Sequence, residues 1–459
     1  MNIQFFGACK TVTGSQHLIT IKDKKILLEC GFYQGLREDA ERINRNFPYD
    51  PKSIDAMILS HAHIDHSGNI PNLIKRGFMG KIYCTHATKS LVEVILEDSA
   101  RIQVYDVEYL NEKNCQNLEP IYTPNDVAPV IERLIGKEYG EWFNVTNGVR
   151  AYFQDAGHIL GSALTTLELN EDVLTKRLGF TGDIGRKFLP ILRDPEQIAN
   201  VNYLITESTY GDHLHDDART SYKSLANAIN NTFIKGGKVI IPSFALERAQ
   251  ELVYIIHELI DTNQIPDNFV YIDSPLAVKI SGIFAGYLNL VDKETREIFL
   301  SKNKNPFIFT KLRFIESAED SKKLNSINES CIIISASGMC EFGRIRHHLK
   351  NNLGNSKNTV IIVGFMAENT LGRRLLDGER QVNILNERIN VKAKIIVLNS
   401  LSAHADQKDL IEFIHNAGAL EKLFLVHGEE KSLNVLADKI QKEDVDEVII
   451  PDFGEKVDL

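Results

Sequence analysis

Long apolar runs are missing from this sequence. None approaches the ~18 residues that cross a bilayer, so no transmembrane helix is expected and no membrane partner. The opening residues, MNIQFFGACK, read as a strand and lack the charged segment and apolar core of a secretory signal. Cysteine is sparse: the six positions (Cys9, Cys30, Cys84, Cys115, Cys331 and Cys340) form no CxxC pair and no disulfide framework. That scatter points to a reducing compartment and a cytoplasmic protein. Positive charge is also in deficit, with 52 Lys and Arg against 62 Asp and Glu and a formal charge of -10. A broad basic surface for holding nucleic acid is thereby excluded, because non-specific affinity for phosphate comes mainly from Lys and Arg. Any such contact must be local, and divalent cations in a cleft can reverse the potential there even on an acidic protein. Internal repeats and low-complexity linkers are absent as well.

What is present is a globular composition, 43% hydrophobic and 25% charged, on 459 residues. That length exceeds one ordinary core, so two domains are expected. In the first two hundred or so residues short β-rich runs alternate with turns, at 2–6, 17–21, 25–29, 56–60, 81–84, 149–154, 163–169, 178–181 and 203–206. Helical periodicity there is confined to 70–76 and 88–109. From 208 the rhythm becomes helix and strand in alternation. The runs 238–241, 269–272, 331–335 and 359–363 are continuously β-branched, as in a parallel sheet buried on both faces. An amphipathic segment at 245–260 between the first two gives a βαβ signature. Strands return at 395–398, 423–426 and 447–450.

The strongest chemical signal is Ser60-His61-Ala62-His63-Ile64-Asp65-His66-Ser67-Gly68, directly after the apolar run 56–59. Alternate residues of an extended chain share a side, so His61 and His63 can grip one cation. Asp65 and His66 sit where the chain turns into a helix, which lets them face a second. A solvated polar loop is the ordinary alternative, and the scarcity of histidine, 14 in the chain, argues against it. A bound metal needs more ligands than this loop supplies. Two later strand ends carry the right residue types beside glycine: Asp155-Ala156-Gly157-His158 and Thr181-Gly182-Asp183-Ile184-Gly185. Glycine permits close backbone approach at such turns.

This ordered set of motifs resembles that of the metallo-β-lactamase superfamily, and the downstream sequence resembles its β-CASP branch of RNA-processing nucleases. The likeness extends over the whole chain through Thr206-Glu207-Ser208-Thr209-Tyr210, Ile241-Pro242-Ser243-Phe244-Ala245 with Arg248, Ser335-Ala336-Ser337-Gly338-Met339-Cys340, His347-His348, Gly372-Arg373, Ser402-Ala403-His404-Ala405-Asp406 and His427-Gly428-Glu429. The resemblance implies an α/β protein, a four-layer αββα sandwich with an inserted α/β β-CASP cap. The sandwich would take 1–207 and 393–459, the cap 208–392. It further implies two zinc ions per chain, one on His61, His63, His158 and Asp183, the other on Asp65, His66, the shared Asp183 and His427. A carboxylate shared by two close cations lets a hydroxide bridge them and lose its proton near neutral pH. Asp65 thus belongs to the catalytic set, with His404 as the implied proton donor to the leaving oxygen and Glu207 as the carboxylate orienting it. In place of the family's usual aspartate after the third strand stands Glu29, a partner of a ligand histidine with one more methylene of reach.

The expected activity is hydrolysis of RNA phosphodiester bonds, as an endoribonuclease with exonuclease action left open. Family members with histidine at the position of His427 act on RNA, so single-stranded RNA is the expected partner, and a homodimer is left open. A DNA nuclease of the same branch, a hydrolase of small esters or lactams, and a non-catalytic RNA-processing subunit are the alternatives. Arg248, Arg373 and Arg374 are candidates to pair with phosphates, and Ser337 and Gly338 to donate hydrogen bonds to them. Glu97, Lys187 and the Lys/Asn-rich tract 301–305 read as solvated surface.

Overall fold

The computed structural model describes residues 1–35, 37–114, 117–215, 218–301, 307–364, 366, 369–398, 402–440 and 445–459. Cys115 and residues 302–305 of the Lys/Asn-rich tract lie outside them. The other five cysteines are free thiols, and no helix among the described residues is long and apolar enough to cross a membrane. The chain forms two compact units, one of residues 1–187, 193–214 and 404–459, the other of 188–192 and 215–403. These limits differ from the expected 208 and 393. The strand Lys394–Val397, expected to reopen the first unit, pairs in parallel with Thr359–Ile362 and so completes the sheet of the second.

Two seven-stranded sheets make up the first unit. In spatial order one runs Lys456–Asp458, Asn2–Phe5, His17–Ile21, Lys24–Leu28, Ala56–Ile58, Lys81–Thr85 and Leu134–Lys137; the other runs Val445–Ile449, Leu420–Val426, Tyr203–Glu207, Leu174–Phe180, Ala163–Glu171, Val149–Asp155 and Trp142–Thr146. Phe5, Ile26 and Ile58 of the first sheet share one buried core with Phe153, Phe180 and Phe424 of the second. The far face of the second sheet is covered by helices Gln407–Asn416 and Glu430–Lys439, through Leu410, Phe413, Leu433 and Leu436. Helix His86–Asn114 lies against Lys81–Thr85 and Leu134–Lys137 of the first sheet. The layers are therefore αββα. Burial follows from position: Val149–Asp155, with antiparallel neighbours, alternates buried and half-buried residues. Tyr203–Glu207, flanked by parallel strands and covered on both faces, is buried throughout.

Strand direction decides where chemistry can gather. Lys24–Leu28 and Ala56–Ile58 are parallel. So are Leu174–Phe180, Tyr203–Glu207 and Leu420–Val426, and Val149–Asp155 runs with them because both it and Leu174–Phe180 are antiparallel to Ala163–Glu171. Within each sheet these strands end at one edge, and every motif of the first unit named above follows such an end or lies beside it.

The second unit is built on six parallel strands, in the order Leu312–Phe314, Val270–Asp273, Ile332–Ser335, Val239–Pro242, Thr359–Ile362 and Lys394–Val397. Four of these match the expected β-branched runs to within a residue or so. The expected helix begins later, at Arg248, because Glu247 adopts φ 65° and breaks the helical path before it. Helix Ala218–Ile234 and the hairpin Gln381–Ile384 with Glu387–Asn390 were not expected from sequence.

Phe153 has no exposed surface and sits in the core between the two sheets of the first unit. Phe153→Ala should destabilise that unit by about 3–5 kcal/mol. Urea unfolding should show a lower midpoint at unchanged slope; a loss below ~1 kcal/mol would mean that the sheets do not pack there as described.

Candidate metal centre

The loop after Ala56–Ile58 carries His61 and His63, and the four-residue helix Ile64–Ser67 that follows carries Asp65 and His66. Backbone contacts fix this loop against the neighbouring strand end: Cys30 N–H donates to His66 O at 2.8 Å and Ser15 N–H to Asp65 O at 2.9 Å. Gly31 is obligatory in that contact, since a Cβ on it would lie 1.6 Å from Asp65 O. His158 follows Val149–Asp155, and Asp183 follows Leu174–Phe180. Gly185 N–H donates to Ala156 O at 2.8 Å, and a Cβ on Gly185 would meet Gly157 O at 1.8 Å. His427 stands just beyond Leu420–Val426 at φ 50°, and Glu29 just beyond Lys24–Leu28 at φ 63°. Side chains other than glycine hold such backbone only where surrounding contacts over-determine it. Here His427 N–H is tied to Ala8 O at 2.8 Å and Glu29 N–H to Ile58 O at 3.0 Å.

Those strand ends bring the expected residues into two groups. In the first, His63 Nδ1 lies 3.1 Å from His61 Nε2 and 3.3 Å from His158 Nε2. Asp183 Oδ2 stands 3.5 Å from His61 Nε2 and 3.4 Å from His158 Nε2. In the second group, His66 Nε2 and His427 Nε2 are 3.3 Å apart, and Asp65 Oδ2 lies 4.0 and 3.5 Å from them. Asp183 faces this group with its other oxygen: Oδ1 is 3.4 Å from His66 Nε2 and 3.5 Å from His427 Nδ1. Buried Asp183 Oδ1 has no hydrogen-bond partner.

These spacings suit metal ligands. Four donors at ~2.1 Å from one ion stand roughly 3.4 Å from each other at the corners of a tetrahedron. Within each group the ligand atoms, nitrogens and carboxylate oxygens, all converge within 4.8 Å. Burial pushes the His61 imidazole well below its ordinary pKa and His63 down to about 4, which leaves both neutral, the form that binds a cation. His66 shifts the other way: burial opposes its charge, but Asp183, Asp65 and Glu29 hold it well above the usual range. Against its own burial, Asp183 is held well below the carboxylate range by His427 and His66. Three carboxylates around one imidazole are a surplus of negative charge of the kind a divalent cation offsets.

Glu29, fully buried, reaches the site with its extra methylene. Its carboxylate accepts from His66 Nδ1 at 2.7 Å, from Ser60 N–H at 2.7 Å and from the Ser60 hydroxyl at 3.0 Å. On the other side Glu207, also fully buried, accepts from Ile184 N–H at 2.6 Å and from His404 Nδ1 at 3.0 Å. The His404 segment is pinned to the Asp183 loop by Ala405 N–H donating to Ile184 O at 2.8 Å, and its ring lies 4.5 Å from that of His158. Burial alone would lower the His404 pKa, but Glu207 lifts it to about 9.

The candidates for phosphate contact all lie in the second unit. Arg248 is buried and paired with Glu251, so an incoming phosphate would have to displace a carboxylate of the same helix. Arg373 is paired with Asp377 at 3.0 Å and Arg374 with Glu379 at 2.7 Å, both half-exposed. Gly338 packs against the Phe244 ring, where a Cβ would come within 2.7 Å. Two contributors went unassigned in the sequence, Ser60 and Thr209. Each lies inside a motif within two residues of one singled out for its chemistry, Ser60 next to His61 and Thr209 two after Glu207, and that proximity is the only signal.

Residues 10–243 match the metallo-beta-lactamase superfamily, 249–375 the Beta-Casp domain, and 388–451 the Zn-dependent metallo-hydrolase RNA specificity domain. Ribonuclease TTHA0252 of Thermus thermophilus is 34% identical over 457 residues, covering 100% of both chains. An RNase J-like protein of Methanocaldococcus jannaschii is 32% identical over 93% of this chain and 92% of its own. Endoribonuclease YSH1 of Eremothecium gossypii is 28% identical over 95% of this chain and 56% of its own. A crystal structure of a protein of unknown function from Enterococcus faecalis V583 shares the fold, with a TM-score of 0.54 at 15% identity over 99% of each chain. Sequence matches that run end to end, over a fold and donor set that suit them, place the chain: it belongs to the metallo-β-lactamase superfamily, in the branch that carries a β-CASP domain.

Proposed function

We propose that this protein is a zinc-dependent ribonuclease that cuts single-stranded RNA internally and leaves 5′-phosphate and 3′-hydroxyl ends. The observation that carries this reading is the Asp183 carboxylate, whose two oxygens face two separate groups of imidazoles. His61, His63, His158 and Asp183 would hold one zinc ion, and Asp65, His66, His427 and Asp183 the other. Bound there, the two ions would supply Lewis acidity towards the phosphoryl oxygens and a water ionised near neutral pH. The remaining work falls to the protein. Glu207 holds His404 by Nδ1, which turns Nε2 into the group that hands a proton to the departing 3′-oxygen. Arg373 and Arg374, both half-exposed, would each pair with a phosphate of the strand only by exchanging a carboxylate for it.

The names of the relatives favour RNA over DNA and over small esters or lactams. A ligand-type residue at every position of both groups disfavours a non-catalytic subunit.

Purified protein should contain two zinc ions per chain by elemental analysis. His61→Ala and Asp183→Ala should each lose metal and nuclease activity together, and active protein free of transition metal would contradict the reading. His404→Ala should keep its zinc while turnover falls by ~10²–10⁴-fold; near-normal turnover would remove His404 from the chemistry. On matched single-stranded oligonucleotides at one salt concentration, RNA should be cut faster than DNA. Equal or faster DNA cleavage would reassign the substrate, and cleavage of neither, with rapid hydrolysis of a lactam or thioester, would reassign the chemistry.

A further inference from the structure

Glu29 and Glu207 are handled alike, although they lie on different sheets. Each has no exposed surface. Each accepts one backbone N–H, from the residue beside a candidate ligand: Ser60 N beside His61, and Ile184 N beside Asp183. Each also holds one imidazole directly, His66 for Glu29 and His404 for Glu207. And each takes a hydroxyl that touches a second imidazole. The Ser60 hydroxyl reaches Glu29 Oε2 at 3.0 Å and His61 Nδ1 at 2.9 Å. The Thr209 hydroxyl donates to Glu207 Oε2 at 2.6 Å and lies 3.2 Å from His427 Nδ1.

A hydroxyl has one proton to give and lone pairs to offer. An ionised carboxylate only accepts, so the proton goes to the glutamate and the lone pair faces the imidazole. Thr209 has a second acceptor within reach, His427 O at 3.2 Å, but the contact to Glu207 is far shorter. A lone pair at Nδ1 demands an N–H there, and a neutral imidazole protonated at Nδ1 carries its own lone pair on Nε2. In His61 that nitrogen faces His63 and Asp183; in His427 it faces His66 and Asp65.

We propose that Ser60 and Thr209 are positioning residues, hydroxyl relays that extend the hold of Glu29 to His61 and of Glu207 to His427 and fix which nitrogen each imidazole presents to its metal group. The proposal rests on the zinc-centre reading. It gives Glu207 a second duty: the carboxylate that orients the proton donor also sets a ligand of the metal group beside Asp65.

The test is stepwise zinc binding by full-length protein in competition with a chromophoric chelator. Thr209→Val keeps the shape and removes the hydroxyl, and should weaken one of the two zinc ions by about 10–100-fold. Thr209→Ser, which restores the hydroxyl, should recover most of that loss. Ser60→Ala should weaken the other ion. In an Asp65→Ala background, already defective in the second group, Thr209→Val should add little while Ser60→Ala keeps its effect. Circular dichroism of the metal-free variants should match wild type, which separates loss of a relay from loss of the fold. Unchanged zinc affinities in Thr209→Val and Ser60→Ala, or equal damage from Thr209→Ser and Thr209→Val, would overturn the relay with the zinc centre intact. Wild-type protein that binds no zinc would overturn the centre and the relay together.

Discussion

Two carboxylates cut off from water, Glu29 and Glu207, hold the chemistry of the first unit in place. Burying an ionised carboxylate is expensive unless donors converge on it, and three kinds do so in each case: a backbone N–H, a hydroxyl and an imidazole. The donors to Glu29 all come from the one segment that holds Ser60 and His66, which ties that segment to the end of Lys24–Leu28; the donors to Glu207 come from three separate segments, at Ile184, Thr209 and His404, so satisfying its charge also sets their spacing. Asp183, between the two groups, inherits that spacing. Its two oxygens divide between the imidazole groups with near-equal distances of 3.4 to 3.5 Å. Glu29 and His427 both hold left-handed backbone at the strand ends that carry them to the site.

How much of this could be read from the sequence depended on how local each signal was. His61, His63, Asp65 and His66 fall within one short segment, so their purpose shows without any knowledge of the fold. His158 and Asp183 are distant in sequence, but each follows a strand and sits beside glycine, and strand direction does the rest. His404, Glu207 and His427 are isolated residues, Glu207 at the last position of a strand and the two histidines outside the strands, and only resemblance to a family singled them out. Ser60 and Thr209 were illegible for a plainer reason. Hydroxyls at strand ends are common, and what sets these two apart is a partner brought close by folding alone.

The limits of the two units show the same divide. A run such as Lys394–Val397 announces a strand but not the sheet it joins. Its neighbour Thr359–Ile362 is decided by hydrogen-bond register, which no periodicity encodes. The rhythm of the sequence therefore places the return to the first unit early, by the length of one strand and the turn after it. Within the second unit the β-branched runs were legible because burial on both faces leaves them no polar alternation.

The arrangement along the chain has a temporal side. The second unit is almost one continuous stretch, 215–403, whereas the first is interrupted by it and resumes only at His404. A ribosome delivers residues in order, and domains fold as their segments become available. A nascent chain halted anywhere inside the second unit already holds His61, His63, His158 and Asp183, yet has neither His404 nor His427. Assembly of the full donor set therefore waits until the chain has been made past His427, and a copy halted inside the second unit lacks both the proposed proton donor and one ligand of the second metal group.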